Sequence, residues 1–283
     1  MNIQTYCAFP KEATAAVRSL EDACRQADGS YNELYLSNQF NVWPDMKAFF
    51  FAEQDGALAG ILQLYGDNPE ECEVYAYVRP ELRRRGIFRA LWQEARRELE
   101  RFGYRRVLFK TDRGFAVRNP VPQHLGAVLS HSEEFLLRPS APCPSALAYT
   151  VRPAAEADLP ALAALQSEAF GEGDEEARRY VEGTLRTPGA ALYVLEVDGV
   201  PAGCASVDRN GLYEYLYGVC VRRDLRGQGL GRALLAGVLT QLASVSCRDA
   251  ALHVDCTNRQ ADRLYLSCGF QPRGVQEYYR LSL

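Results

Sequence analysis

The pattern of apolar and polar positions repeats along the chain. Residues 48–53 (AFFFAE) and 191–197 (ALYVLEV) are apolar, aromatic and β-branched, which predicts strands. Asp55-Gly56 and Asp198-Gly199 follow, the dipeptides of tight hairpin turns. Each strand should therefore fold back onto a second, ALAGILQLY (57–65) or VPAGCASVD (200–208). A third follows in each case, EVYAYV (73–78) or YEYLYGVCV (213–221), then a Gly/Arg turn. Beyond the turn, Leu230, Ala233, Leu234, Val238 and Leu242 fall on one stripe, which predicts a helix. The next run, VLFKTD (107–112) or ALHVD (251–255), is again a strand. Segments 11–27 and 155–183 read as helical. Each half thus runs strand, helices, antiparallel meander, helix, strand, helix, strand: an α/β fold with a mixed sheet.

The two halves are copies. At an offset of 143, residues 48–91 align with 191–234 without a gap, and 15 of the 44 positions are identical. Among these are Gly60/Gly203, Glu71/Glu214, Leu82/Leu225, Arg83/Arg226, Gly86/Gly229 and Arg89/Arg232. The register persists at Asp112/Asp255, Gly126/Gly269 and Glu134/Glu277, which unrelated segments would not sustain. The Pro/Ser-rich stretch from Arg138 to Ala146 makes a natural joint. The expected domains are 1–138 and 148–283, with a linker at 139–147.

Composition narrows the function. The 283 residues are 47% hydrophobic and 24% charged, the balance of a folded globular protein of about two domains. The net charge of −4 argues against a nucleic-acid partner. No apolar run is long enough to span a membrane, and no signal peptide is read. Nine cysteines without C-x-x-C pairs suit reduced thiols in a cytoplasm, and the three histidines do not join them at zinc spacing, so no metal is expected.

The sharpest chemistry lies at Arg226-Gly227-Gln228-Gly229-Leu230-Gly231. Three glycines let the backbone turn tightly and approach a ligand, and the free N–H groups of the following helix face the turn, which makes an anion site. A plain strand-to-helix turn would use the same residues. Downstream, Thr257 and Gln260 have capping-box spacing. Ala261, Leu264, Tyr265 and Cys268 share one helical face, an ordinary core pattern, and Gly269 reads as a helix stop.

Together these segments resemble the GNAT superfamily of N-acetyltransferases. Residues 219–231 look like its acetyl-CoA signature, R/Q-x-x-G-x-G/A after a strand. Residues 258–270 are similar to its second motif, N-x-x-A-x-x-L-Y-x-x-x-G-F. The resemblance implies two tandem GNAT-like domains, the second with intact motifs, and acetyl-CoA as co-substrate. It implies that the turn from Arg226 to Arg232 (Gly227, Gln228, Gly229, Leu230 and Gly231 between them) holds the pyrophosphate. Val219, Cys220 and Val221 would pair with the pantetheine arm and polarise the acetyl carbonyl. Asn258 would bond the same arm, and Tyr265 would act at the thioester sulfur.

The proton acceptor is less specified. Glu214 opens the strand before the turn, where family members place a catalytic Glu. By simple alternation its parity is opposite to Val219 and Val221, and its mate Glu71 hints at a structural role. Tyr215 and Tyr217 share the parity of the acetyl-facing residues and are candidates for the acceptor pocket. His253 lies on the next strand and is a further candidate, since an imidazole ordinarily titrates near neutrality.

The first half keeps Arg83 and Gly86 but places Phe88 at the position of Gly231, Phe115 at Asn258 and Pro122 at Tyr265. Pro120 and Pro122 should also break the helix there. The first half therefore reads as a degenerate repeat or an altered CoA site. The expected function is acetyl transfer from acetyl-CoA to a primary amine of a small molecule or peptide, by a monomer or homodimer. A non-catalytic acyl-CoA sensor or partner-binding module is the alternative.

Overall fold

The computed structural model describes every residue of the chain except Ala146, Ala148 and Glu172. In chain order the strands are β1 (Asn2–Tyr6), β2 (Phe49–Gln54), β3 (Ala57–Tyr65), β4 (Glu71–Val78), β5 (Arg106–Asp112), β6 (Val128–Arg138), β7 (Thr150–Pro153), β8 (Ala190–Val197), β9 (Val200–Asp208), β10 (Glu214–Val221), β11 (Ala250–Asp255) and β12 (Gln271–Ser282). The helices are α1 (Thr14–Asp28), α2 (Ile87–Arg101), α3 (Arg113–Arg118), α4 (Val121–His124), α5 (Leu159–Phe170), α6 (Asp174–Arg186), α7 (Leu230–Val245) and α8 (Arg259–Ser267). None is long and apolar enough to cross a membrane.

The first compact unit comprises Met1–Glu133 and Gly274–Leu283. Its strands run in the order β1-β2-β3-β4-β5-β12. All neighbours are antiparallel except β4 and β5, which pair in parallel over Glu71–Val74. Asp55 and Gly56 both have positive φ (53° and 78°), the tight turn that their sequence predicts. Trp92 and Leu99 of α2 pack with Phe50, Leu62 and Phe109 on one face. Val17 and Leu20 of α1 pack with Phe49 and Ile61 on the other. After β5 the helix is broken into α3 and α4 at Asn119 and Pro120, because Pro120 and Pro122 lack the N–H groups a continuous helix needs.

The second unit is Glu134–Arg273, with strand order β6-β11-β10-β9-β8-β7. Its Asp198-Gly199 turn repeats the first (φ 52° and 76°). The predicted stripe of α7 is buried, with Leu234 and Val238 inaccessible to solvent. The helical segment expected at 155–183 is two helices, α5 and α6. Gly171, at φ 71°, ends the first, because only glycine enters that region at no steric cost.

The compact units and the domains read from sequence divide the chain differently. Residues 134–138 belong to the second unit, and the last ten residues to the first. The internal repeat identifies equivalent strands, but it does not say which unit each one joins. Ala146, which ends the expected joint, and Ala148, which begins the second expected domain, lie outside the described residues.

Candidate functional site

The glycine turn of the second unit adopts a conformation that its sequence makes possible. Arg226 is extended, while Gly227 and Gly229 have φ of 79° and 84°. Gly229 is the N-cap of α7, so the first N–H groups of that helix lack intrahelical partners and point into the turn. The side chain of Arg226 donates to the carbonyl of Val221 (2.9 Å), and Arg232 holds the Ser267 hydroxyl (2.8 Å). A Cβ on Gly231 would press to 3.1 Å from Leu264, and one on Gly229 to 2.9 Å from Leu147. Small residues here keep a space open above the helix start.

That space is part of a cavity of about 340 Å³. Ten of the eleven residues assigned to the cofactor line it; Gln228 does not, and its side chain faces the Asp224 carbonyl. Tyr265 lines it as well. Among the described lining residues there is no Asp, Glu or His. Ala169 and Phe170 complete one wall from α5, a contribution that sequence motifs centred on the turn did not register.

The cavity exists because two neighbouring strands part. β10 pairs with β11 only through Glu214 and Tyr215. On its other edge β10 carries a bulge: Tyr217 lies opposite Ser206, but Cys220 lies opposite Cys204. Gly218 absorbs the extra residue at φ 58°, and the buried Gln166 amide holds its carbonyl (2.9 Å). The bulge reverses the alternation. Leu216, Val219 and Val221 all face the α7 side, whereas Cys220 faces α5 and α6. Parity counted across Gly218 therefore fails: Tyr215 and Tyr217 do not share a face with Val219 and Val221.

Tyr265 is 8% exposed and packs against Phe270 with ring centroids 6.0 Å apart. Its hydroxyl bonds to no described residue. Burial, with smaller contributions from the neighbouring Cys268 and Cys220 thiols, pushes its pKa up to about 12, so it remains a proton donor. Asn258 caps α8, its Oδ1 accepting from the Ala261 amide (3.1 Å). Thr257, which the capping-box spacing favoured, instead bonds Asp255 (2.5 Å).

Glu214 does not belong to this cavity. It is 1% exposed, with Arg248 at 2.9 Å and Arg209 at 3.1 Å. A carboxylate buried between two guanidinium groups braces the start of β10. Its mate Glu71 is held in the same way by Arg280 (2.6 Å). Tyr215 and Tyr217 also lie outside the lining, on the α5/α6 face. Tyr215 bonds His253 Nδ1 (2.9 Å), and Tyr217 packs edge-on against Tyr180 (5.8 Å).

The first unit keeps the shape of the turn with only one of its three glycines, Gly86. Arg83 is extended, Arg84 has φ 64° where Gly227 has 79°, and Gly86 caps α2 at φ 84°. A cavity of about 300 Å³ lies there, between the parted ends of β4 and β5. Phe88, Phe115 and Pro122 line it, and Arg83 is engaged by Asp28 through two contacts of 2.7 Å.

Comparison with known proteins is consistent with these geometries. The model of the acetyltransferase (GNAT) family matches residues 14–118 and again 159–270. An aminoglycoside N(6')-acetyltransferase type 1 of Stenotrophomonas maltophilia is 29% identical over 147 residues, which are 49% of this chain and 96% of that protein. Among solved structures, a GCN5-related N-acetyltransferase from Sphaerobacter thermophilus has a TM-score of 0.74 at 20% identity, over 99% of this chain and 95% of that one. A tandem GNAT protein from the clavulanic acid biosynthesis pathway has a TM-score of 0.74 at 19% identity, over 99% and 98%.

Proposed function

Because the chain belongs to the acetyltransferase (GNAT) family, we propose that its second unit binds acetyl-CoA and passes the acetyl group to a primary amine of a small molecule or peptide. The observation that carries this reading is the single cavity lined by the glycine turn, the parted strand β10, Asn258 and Tyr265. The residues fit the cofactor. Free helix N–H groups, the open space at Gly227 and the bare backbone of Gly231 suit a pyrophosphate. Acetyl-CoA supplies the acetyl group as an activated thioester.

The chain's own residues then have distinct tasks. The turn and Arg226 hold the anionic end. β10 beyond Tyr215 has no partner strand on its β11 side, so its backbone groups are free to pair with the pantetheine arm and to polarise a carbonyl. Tyr265 donates a hydrogen bond to the departing sulfur. With its pKa near 12 against about 8.5 for a thiol, complete proton transfer is uphill by about 5 kcal/mol, so the hydroxyl stabilises charge without surrendering its proton. No carboxylate or imidazole of the described residues lines the cavity, and the acceptor is taken to arrive as the free amine or to lose its proton to water. Tyr180, Tyr215 and Tyr217 on the α5/α6 face form the wall along which it approaches.

An aminoglycoside is the first acceptor to test, on the strength of the relative that matches over nearly its whole length. The protein is titrated calorimetrically with acetyl-CoA. CoA release is then followed with aminoglycosides, polyamines and free peptide N-termini. Binding that is lost on substitution within the turn, together with amine-dependent CoA release, is expected. Binding without release from any amine would leave a sensor, and no binding would refute the site.

A further inference from the structure

The first unit's cavity has chemistry of its own, which the acetyl-transfer reading does not use. Its body is apolar, with Val74, Tyr77, Phe88, Phe109 and Phe115 among the residues that line it. Its volume of about 300 Å³ is at the small end of ligand sites. Within this apolar wall lies a buried polar atom without a described partner. Gln276, on β12 opposite Asp112, is 2% exposed, and its Oε1 has no hydrogen-bond partner among the described residues. A buried acceptor left unmatched is costly, and a donor brought by a ligand removes that cost.

The mouth is cationic. Four lining side chains are basic (Arg83, Arg84, Arg89, Lys110) and two acidic (Asp28, Asp112). Asp28 is taken by Arg83, whereas Arg84 and Arg89 are exposed and make no ion pair among the described residues. They flank the start of the 15-residue helix α2, whose free N–H groups favour the same sign of ligand charge. Phe88, half-buried, puts a ring where the second unit has the bare Gly231, so the room that a pyrophosphate needs over the helix start is reduced.

We propose that the first unit binds an apolar molecule with an anionic head group and one hydrogen-bond donor, and that this ligand is not CoA. The body lies between β4 and β5, the donor meets Gln276 Oε1, and the head group rests at Arg84 and Arg89. The site is independent of acetyl transfer in the second unit.

The test uses 1-anilinonaphthalene-8-sulfonate, which combines fused rings, an N–H and a sulfonate. It is titrated into the full chain by fluorescence and displaced with octanoate or with CoA. One high-affinity site per chain is expected, displaced by octanoate and unaffected by CoA. Ala76→Trp, which fills the cavity, should abolish it, and Gly229→Trp in the second unit should leave it intact. The surface pair Arg84→Glu with Arg89→Glu, which threatens no core packing, should weaken it by about ten-fold, the worth of one charge-assisted contact. Absence of binding, displacement by CoA, or full affinity in the double-Glu variant would overturn the proposal.

Discussion

Replacing Tyr265 by Phe isolates one hydroxyl. The ring stays packed on Phe270, and the hydroxyl bonds to no described residue, so its removal leaves no orphaned partner. Stability should change by less than about 1 kcal/mol. What is lost is a hydrogen bond that forms only as charge develops on sulfur. A bond of that kind is worth about 1.5–3 kcal/mol, which predicts a fall in kcat of roughly 10- to 150-fold. Acetyl-CoA affinity should stay within about two-fold, because the bond contributes little before charge appears. Burial holds the phenol protonated far above neutrality, so the wild-type rate should show no downturn attributable to Tyr265 below about pH 11. Single-turnover CoA release and calorimetry of the variant separate the two quantities. An unchanged kcat with weakened binding would make Tyr265 a packing residue. A loss beyond about 10⁴-fold would mean that it transfers its proton completely, against the pKa argument.

Gly229→Trp should abolish acetyl-CoA binding in calorimetry, since even a Cβ there comes to 2.9 Å from Leu147; unchanged affinity would remove the turn from the site. Gly218→Val forces a β-branched residue into φ 58°, with the Gln166 amide 3.0 Å from its Cβ, and should cost about 2–4 kcal/mol in chemical denaturation. Glu214→Gln should lower the melting temperature yet leave the shape of the pH–rate profile in place, because the rising limb should follow the acceptor's own pKa. A shifted limb would restore Glu214 as the base. Asp158 is held below its usual pKa by the Arg152 guanidinium (2.7 and 2.8 Å). A carboxylate lowered in this way stabilises the fold above about pH 3.8 and loses that contribution as pH falls through the folded value. Asp158→Asn should therefore melt below wild type at pH 5–7, and the gap should close below pH 3.8.

Local chemistry was legible in the sequence wherever it was self-contained. The Asp-Gly turns, the α7 stripe and the glycine turn each depend on residues within one short window, and all take the expected form. The break between α3 and α4 follows from two prolines. What misled was the assumption of period two through β10. Gly218 inserts one residue, and every face assigned by counting across it changes. A glycine inside an otherwise aromatic strand was the available signal. The place of Glu214 outside the cavity was hidden for another reason: its partners Arg209 and Arg248 come from segments that alternation and motif do not connect to it. The repeat itself gave the clue, because Glu71 occupies the same place in a half without the second motif. Which unit each final strand joins is a long-range matter, and no local pattern carries it.

The two turns also bear on why the first half was retained. Gly227 takes φ 79° at no steric cost, whereas Arg84 takes 64° against one of about 1–2 kcal/mol. If the turn had become a mere connector, any residue relaxing that angle would stabilise the unit. Instead the angle persists with an arginine in it, beside a cavity nearly as large as that of the second unit. The strained residue is also one of the two exposed cations at the mouth that make no ion pair among the described residues. Strain that is kept where it aims a charge at a cavity is the pattern of a binding site, and Arg84→Gly separates its two components. Relief of strain should raise the stability of the chain by about 1 kcal/mol, while loss of the charge should weaken the anionic probe. A variant that gained stability and lost no affinity would show that the turn persists for the fold alone.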